Sequence, residues 1–499
     1  MKRQLTAERA EVFAEGAESS GNSSAPSGAV QFTHLAIRSL ILIGITSTLV
    51  SIALPGKSLE AQSKPILGTR APRPHKRAQH AKFQKLSDNK AASRFALIAG
   101  EAPALPVVTG SVQIRSTLRA MQISPSRSLA FAQTKPDKDY LVYVVSESAD
   151  KIALIRFGPN GARVDHQIET GDMPVDIDGP HGIVISPDRK SYYVSIAHGR
   201  PFGTIWKYST KDDRVEGKAT LGYFPATVDV TPDGSFLFVV NFNLHGDMVP
   251  SSVSVVSTAT MTEVARIQTC TMPHGSRLNP QGTKQYSACM MDDMLVEIDT
   301  RTLKVARHFI VTKGHEMGMS GAPKLKADSM ASMPGMKDMG GHGMEPPKPG
   351  DDSCSPTWAQ PSADGASIYV ACNKSSEIVE INANSWQQVR RIPARAGVYN
   401  LGITHDGRRL LATNKRDQSV SIYDLKSGKE LARLPTKRKV LHGVVISPDD
   451  LYAFVTVEGV GSEPGTVEII DLKVLKTVAT VDVGAEAAGV DFYQTEPAR

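Results

Sequence analysis

From about Ser111 to the C-terminus, short apolar runs alternate with turn residues at a nearly regular interval. Each unit opens on a β-branched run that enters a turn. The copies are GIVISPDRK from Gly182, TVDVTPDGS from Thr227, GSRLNPQGT from Gly275, WAQPSADGA from Trp358, LGITHDGRR from Leu401 and GVVISPDDL from Gly443, with a degenerate MQISPSRS from Met121. Asp-Gly and Pro-Asp at these places are hairpin chemistry. A second run follows each turn, as in SYYVSIA from Ser191 and SIYVACN from Ser367. A third follows a loop, as in TIWKYST, SVSIYDL and TVEIIDL, and a weaker fourth ends most units, as in EVARIQT and ELARLPT. Alternation within the runs is weak, which suits strands covered on both faces.

Seven such units, spaced by about 42 to 48 residues, predict an all-β, seven-bladed β-propeller with four-stranded blades. The last run, AGVDFY from Ala488, lies beyond the seventh unit and repeats the first strand. It is expected to pair with blade one and close the ring, removing the open edges that invite aggregation. A β-sandwich is the competing fold, and the regular repeat with its closing strand argues against it.

The units resemble the YVTN-type β-propeller repeat family of exported proteins. YVACN at Tyr369, LLATNKRDQSVSIYD at Leu410 and the repeated V-x-IS-PD turn carry the resemblance. It implies the fold. It leaves function open, because members serve as binding scaffolds, surface proteins and enzyme domains.

Residues 1–62 read as a signal or anchor region. Leu40 to Leu54 is apolar, follows Arg38, and has the length of a signal-peptide core rather than a membrane span. Residues 63–105 read as a basic, disordered linker, and 106–499 as the propeller. The chain is expected to be periplasmic or otherwise exported, anchored only if the N-terminal segment stays uncleaved. The formal net charge is +6, and much of the basic excess lies in that linker, with only Phe83 and Phe95 as aromatics. Nucleic-acid binding is therefore not expected.

Equivalent positions in the blades converge on one rim of the central channel. The residue five before each turn serine, or its counterpart, is Arg119 or Ala488, His181, Ala226, His274, Thr357, Tyr399 and His442. Three of the seven are histidine, each followed by glycine, which lets another backbone approach. His198 and His245 fall in loops expected on the same face. Imidazoles from several strands can form a rigid transition-metal site, although each alone is as readily a structural histidine. An insertion at 313–353 holds His315, Met317, Met319, Met330, Met333, Met336, Met339, His342 and Met344. Its Gly, Pro, Lys and Asp content cannot build a core. Thioether sulfur selects Cu(I), so copper is the metal expected, with redox activity open.

Cys270, Cys289, Cys354 and Cys372 fall at matching places in blades four and five. They are expected to bridge as Cys270–Cys289 and Cys354–Cys372, with Cys289–His274 copper ligation as the alternative. Asp292 and Asp293 read as solvated loop acids, and Glu458 as a turn residue that could face a ligand. Three functions stay open: a copper-binding propeller, a metal-free scaffold for a periplasmic protein or envelope polymer, and a lactonase-like hydrolase. Catalytic residues are not assigned.

Overall fold

A computed structural model describes residues 135–173, 176–198, 202–244, 246, 248–324 and 352–499. The signal, linker and Met121 readings lie outside these residues, as do His245, Met330, Met333, Met336, Met339, His342 and Met344. Among the described residues no helix is long and apolar enough to cross a membrane.

Each repeat folds as an antiparallel sheet because its turn is built from the repeated residues. In blade two, Ser186 Oγ donates to Asp188 Oδ1 at 2.7 Å and accepts the Ser191 N–H that starts the next strand at 3.0 Å. Asp188 also accepts the Lys190 N–H. The same lock recurs at Thr231 with Asp233, Ser362 with Asp364, Thr404 with Asp406, and Ser447 with Asp449. In blade four, Asn279 replaces it by accepting the Thr283 and Lys284 N–H groups. The turn needs one left-handed residue, supplied by Gly234, Gly282, Gly365 and Gly407, whereas Arg189 and Asp450 adopt it with φ of 59° and 57°.

Seven sheets result, packed as a ring through their innermost strands. The innermost strands of blades two to seven are Pro180–Ile185, Pro225–Val230, Pro273–Leu278, Pro356–Pro361, Val398–Ile403 and Val440–Ile446. Blade one takes its innermost strand from the end of the chain: Ala487–Pro497 pairs antiparallel with Lys138–Ser146. The predicted closure is thus the observed one. Second and third strands are buried on both faces, as Ser191–Ile196 shows, while outermost strands such as Lys429–Pro435 alternate.

Both predicted disulfides form. Cys270 is the penultimate residue of the outermost strand of blade three, Thr262–Thr271, so Cys270–Cys289 ties that blade to the second strand of blade four. Cys354–Cys372 joins the lead-in of blade five to its second strand. All four cysteines are therefore spent, which removes the Cys289–His274 copper alternative. The composition of 313–353 reads as a loop throughout. Its first part instead forms a strand, Met317–Ser320, which adds a fifth member to blade four.

The closing strand is held by a buried clasp. Arg156, 2 % exposed, donates to Asp139 at 3.0 Å, to Glu496 at 2.9 Å and to Asp165 at 2.8 Å. Removing the guanidinium leaves the buried Asp139 carboxylate without its cation, a loss of roughly 3–5 kcal/mol. Arg156→Ala is expected to lower the thermal midpoint by several degrees, read by calorimetry, whereas an unchanged midpoint would show that the clasp is idle.

Candidate functional site

Every innermost strand of blades two to seven starts with a break in pairing register: Pro180/Ile183, Pro225/Val228, Pro273/Ser276, Pro356/Trp358, Val398/Leu401 and Leu441/Val444. Such bulges re-aim side chains. His181, His274 and His442 sit within these breaks and line a small axial cavity with Arg277, Trp358 and Asn400. The cavity measures about 30 Å³, room for about one or two waters. The glycines after the histidines are required by crowding. A Cβ on Gly182 would lie 2.2 Å from Ala226 O, and one on Gly275 would lie 2.4 Å from Thr357 O.

The imidazoles do share one opening. The rings of His181 and His442 are 5.1 Å apart and nearly perpendicular. Tyr399 bridges the other pair, with centroids 5.2 Å from His274 and 5.4 Å from His442. Phe224 and Phe242 form an apolar wall, Phe224 against His181 and Phe242 against His274 at 4.6 Å.

Their hydrogen bonds give them different roles. His274 Nδ1 donates to Thr357 O at 2.9 Å, and its Nε2 accepts from the Tyr399 hydroxyl at 2.8 Å. Both nitrogens are thus used. His198 Nε2 and His181 Nδ1 each donate to Glu147 at 2.7 Å, on Oε1 and Oε2 respectively. The Nε2 of His181 and the ring nitrogens of His442 have no hydrogen-bond partner among the described residues. Of the expected histidine set, then, two imidazoles present open nitrogens, two hold structure, and His245 lies outside the description. Among the described residues no group of three or more His, Cys, Asp or Glu is arranged to hold a metal ion.

Glu147 was missed. It opens a short 3-10 turn, Glu147–Ala149, after the second strand of blade one. That loop matches the places that carry His198 and His245, so an acid there was a readable rim signal. Lys415, just past the end of the second strand of blade six, was missed for the same reason. Glu458 ends the second strand of blade seven and is buried, which corrects its reading as a turn residue. Asp293 is likewise buried, not solvated. It accepts N–H bonds from Cys354 at 3.0 Å and Ser355 at 2.7 Å, bracing blade four against blade five. Asp292 accepts from the Thr271 N–H at 2.6 Å. Met317 and Met319 lie on the added outer strand, not among the rim histidines, and His315 precedes that strand on an exposed turn.

Burial and charge set the protonation states. Burial would push Glu147 up, but the His181 and His198 imidazoles outweigh it and hold the carboxylate well below its usual range. Burial would lower His198, and Glu147 raises it instead. Burial pushes His442 well down, helped by the Lys415 ammonium. Burial also drives Lys415 down to about 8 and Glu458 up to about 8. The Lys415 ammonium lies over the Tyr399 ring at 3.6 Å.

No family model and no curated protein matches the chain. Solved structures do. The periplasmic gluconolactonase PpgL of Pseudomonas aeruginosa is 17% identical, with a TM-score of 0.51 over 71% of this chain and 99% of that one. Candidate 6-phosphogluconolactonases of Bacteroides uniformis and Bacteroides fragilis are each 14% identical at a TM-score of 0.51, covering 71% and 72% of this chain and 99% of theirs. At these identities the likeness is one of fold: this chain is a seven-bladed β-propeller.

His274 carries a testable pH dependence. Burial lowers its pKa from 6.5 to about 4. Between these values the unfolded chain binds more protons than the folded one. This contribution to stability is whole above about pH 6.5 and is lost as pH falls toward 4, by roughly 3 kcal/mol. His274→Gln is expected to flatten the fall in thermal midpoint between pH 6.5 and 4; a slope equal to that of the unaltered protein would refute the assignment.

Proposed function

We propose that the rim carries acid–base chemistry on a small carbonyl compound, in the manner of a lactone hydrolase. The observation that supports this most is the Glu147–His181 pair. A carboxylate accepting from Nδ1 fixes the tautomer and leaves Nε2 as a lone-pair base at the channel mouth. His198, donating to the same carboxylate, offsets its charge.

In this reading His181 Nε2 takes a proton from a water as that water's oxygen bonds to the carbonyl carbon. The carbonyl electron pair moves onto oxygen. Lys415 and Glu458, both within electrostatic reach of the rim histidines, favour that developing negative charge as ammonium and neutral carboxyl. When the ring C–O bond breaks, the imidazolium returns its proton to the leaving oxygen. Both Lys415 and Glu458 lose these protonated forms near pH 8, so activity is expected to decline as pH rises through about 8.

Hydrolysis of glucono-lactone above the buffer rate, measured by acid release, tests this directly. His181→Ala and Glu147→Gln should lower kcat/KM by about 10²–10⁴-fold. A wild-type rate equal to buffer across a panel of sugar lactones, or an unaffected His181→Ala, would refute it.

A second reading keeps a transition metal, copper foremost, at the same mouth. It is favoured by the open nitrogens of His181 and His442 on rings 5.1 Å apart. Metal analysis of purified protein should then find copper that His181→Ala/His442→Ala removes; equal metal in both proteins would exclude the rim as its holder. The export reading accompanies either function, supported by two disulfides. Kinship with YVTN-type repeats likewise remains a proposal carried by the quoted repeat residues.

A further inference from the structure

The added outer strand of blade four places two methionines opposite a histidine. Lys304–Ile310 pairs antiparallel with Met317–Ser320, with His308 directly opposite Met319 and Ile310 opposite Met317. Residues directly opposite share a face, with Cβ atoms about 5 Å apart. Alternation puts Met317 and Met319 on that same face.

On the other face, Trp386 of blade five lies against the middle of the strand. Phe309 packs against Trp386, and Gly318 lies opposite Phe309. A Cβ on Gly318 would come within 2.5 Å of Trp386 Cδ1 and of its carbonyl oxygen. The glycine is therefore required, and it commits both methionines to the His308 side. Met317 is 56 % exposed there, so core packing does not account for it. An exposed edge strand ordinarily carries charges that discourage pairing. Met-Gly-Met-Ser carries none.

The strand is nevertheless anchored. Glu316 Oε1 accepts from Arg391 Nε at 2.9 Å and from its Nη2 at 2.7 Å. The Gly321 N–H donates to Ala306 O at 2.8 Å, and Trp386 Nε1 donates to His308 O at 2.8 Å.

His308 is oriented as a ligand is. Its Nδ1 lies 2.8 Å from Gly321 O, and a carbonyl only accepts, so Nδ1 carries the hydrogen. The lone pair is left on Nε2, which has no partner among the described residues. Metal-binding histidines commonly donate their second nitrogen to a backbone carbonyl in this way. A neutral imidazole with two thioethers is a soft, uncharged donor set, which suits Cu(I).

We propose that His308, Met317 and Met319 form a Cu(I)-binding site on the outer edge of blade four, separate from the channel mouth. It stands whether or not the rim is hydrolytic.

The test uses full-length protein with both disulfides intact, Cu(I) supplied anaerobically with ascorbate, and a competing chromogenic Cu(I) chelator. Met317→Leu/Met319→Leu conserves volume and should keep the fold. It is expected to hold one equivalent of Cu(I) fewer than the unaltered protein, and X-ray absorption should show a smaller sulfur shell. His308→Gln should weaken retention of that equivalent about tenfold or more. The His181→Ala/His442→Ala variant should keep it. Equal Cu(I) stoichiometry and an equal sulfur shell in the double leucine variant would overturn the site.

Discussion

A propeller ring is only as sound as its last junction, because the first and last blades each leave one face bare until the circle is complete. Here the final strand, Ala487–Pro497, makes that junction and touches three neighbours at once. It pairs with blade one, where Arg156 reaches across to Glu496. It lies against blade seven, whose Gly443 faces Ala488 O. It also meets blade two, where Asp491 Oδ2 accepts the Ile185 N–H at 2.7 Å and Gly489 faces His181 O. That last contact reaches the candidate site. The Glu147 N–H donates to Glu486 O at 2.9 Å, immediately before the closing strand, so closure positions the carboxylate that His181 needs.

Crowding of seven strands at the axis sets the local chemistry. The gap between adjacent strands is spanned by hydroxyls rather than by sheet pairing. Ser195 Oγ donates to Ala226 O at 2.7 Å while accepting the Gly182 N–H, and Thr357 Oγ1 donates to Tyr399 O at 2.8 Å. The close approach of the neighbouring strand leaves no room for a Cβ at Gly182 or Gly275. The same break in register that admits the bridges turns His181, His274 and His442 toward the channel. Scaffold and site are thus one solution to one packing problem.

What was legible in the sequence follows from the range of each interaction. The Ser-x-Asp turn and its glycine act over a few residues, so the repeat, the blade number and the closing strand could be read directly. The disulfides followed from the same register. Equivalent positions also located His181, His274 and His442. What could not be read was how each histidine is spent. His274 is committed by Tyr399, 125 residues away, and by Thr357 on the next blade. Glu147 and Lys415 occupy the same loop positions as the rim histidines but differ from them in residue type, so repetition of histidine does not mark them. The Met317–Ser320 strand escaped because Gly and Pro around it signal a loop, whereas its pairing depends on Trp386 from blade five leaving space only for Gly318.

The electrostatics of the rim explain why only part of the histidine set is open for chemistry. A buried carboxylate is tolerable when charge and hydrogen bonds compensate it. Glu147 has two donors, and His198 is the one whose proton affinity it raises. His198 donates to one oxygen of Glu147 and His181 to the other, so both carboxylate oxygens are compensated. Further round the ring, the Lys415 ammonium opposes any positive charge on His442, which burial already disfavours. The rim therefore separates its imidazoles: one is a counter-ion, one is locked by Tyr399, and two face the channel with lone pairs. A site made of interchangeable histidines would need like surroundings for all of them, and this ring supplies a different one to each.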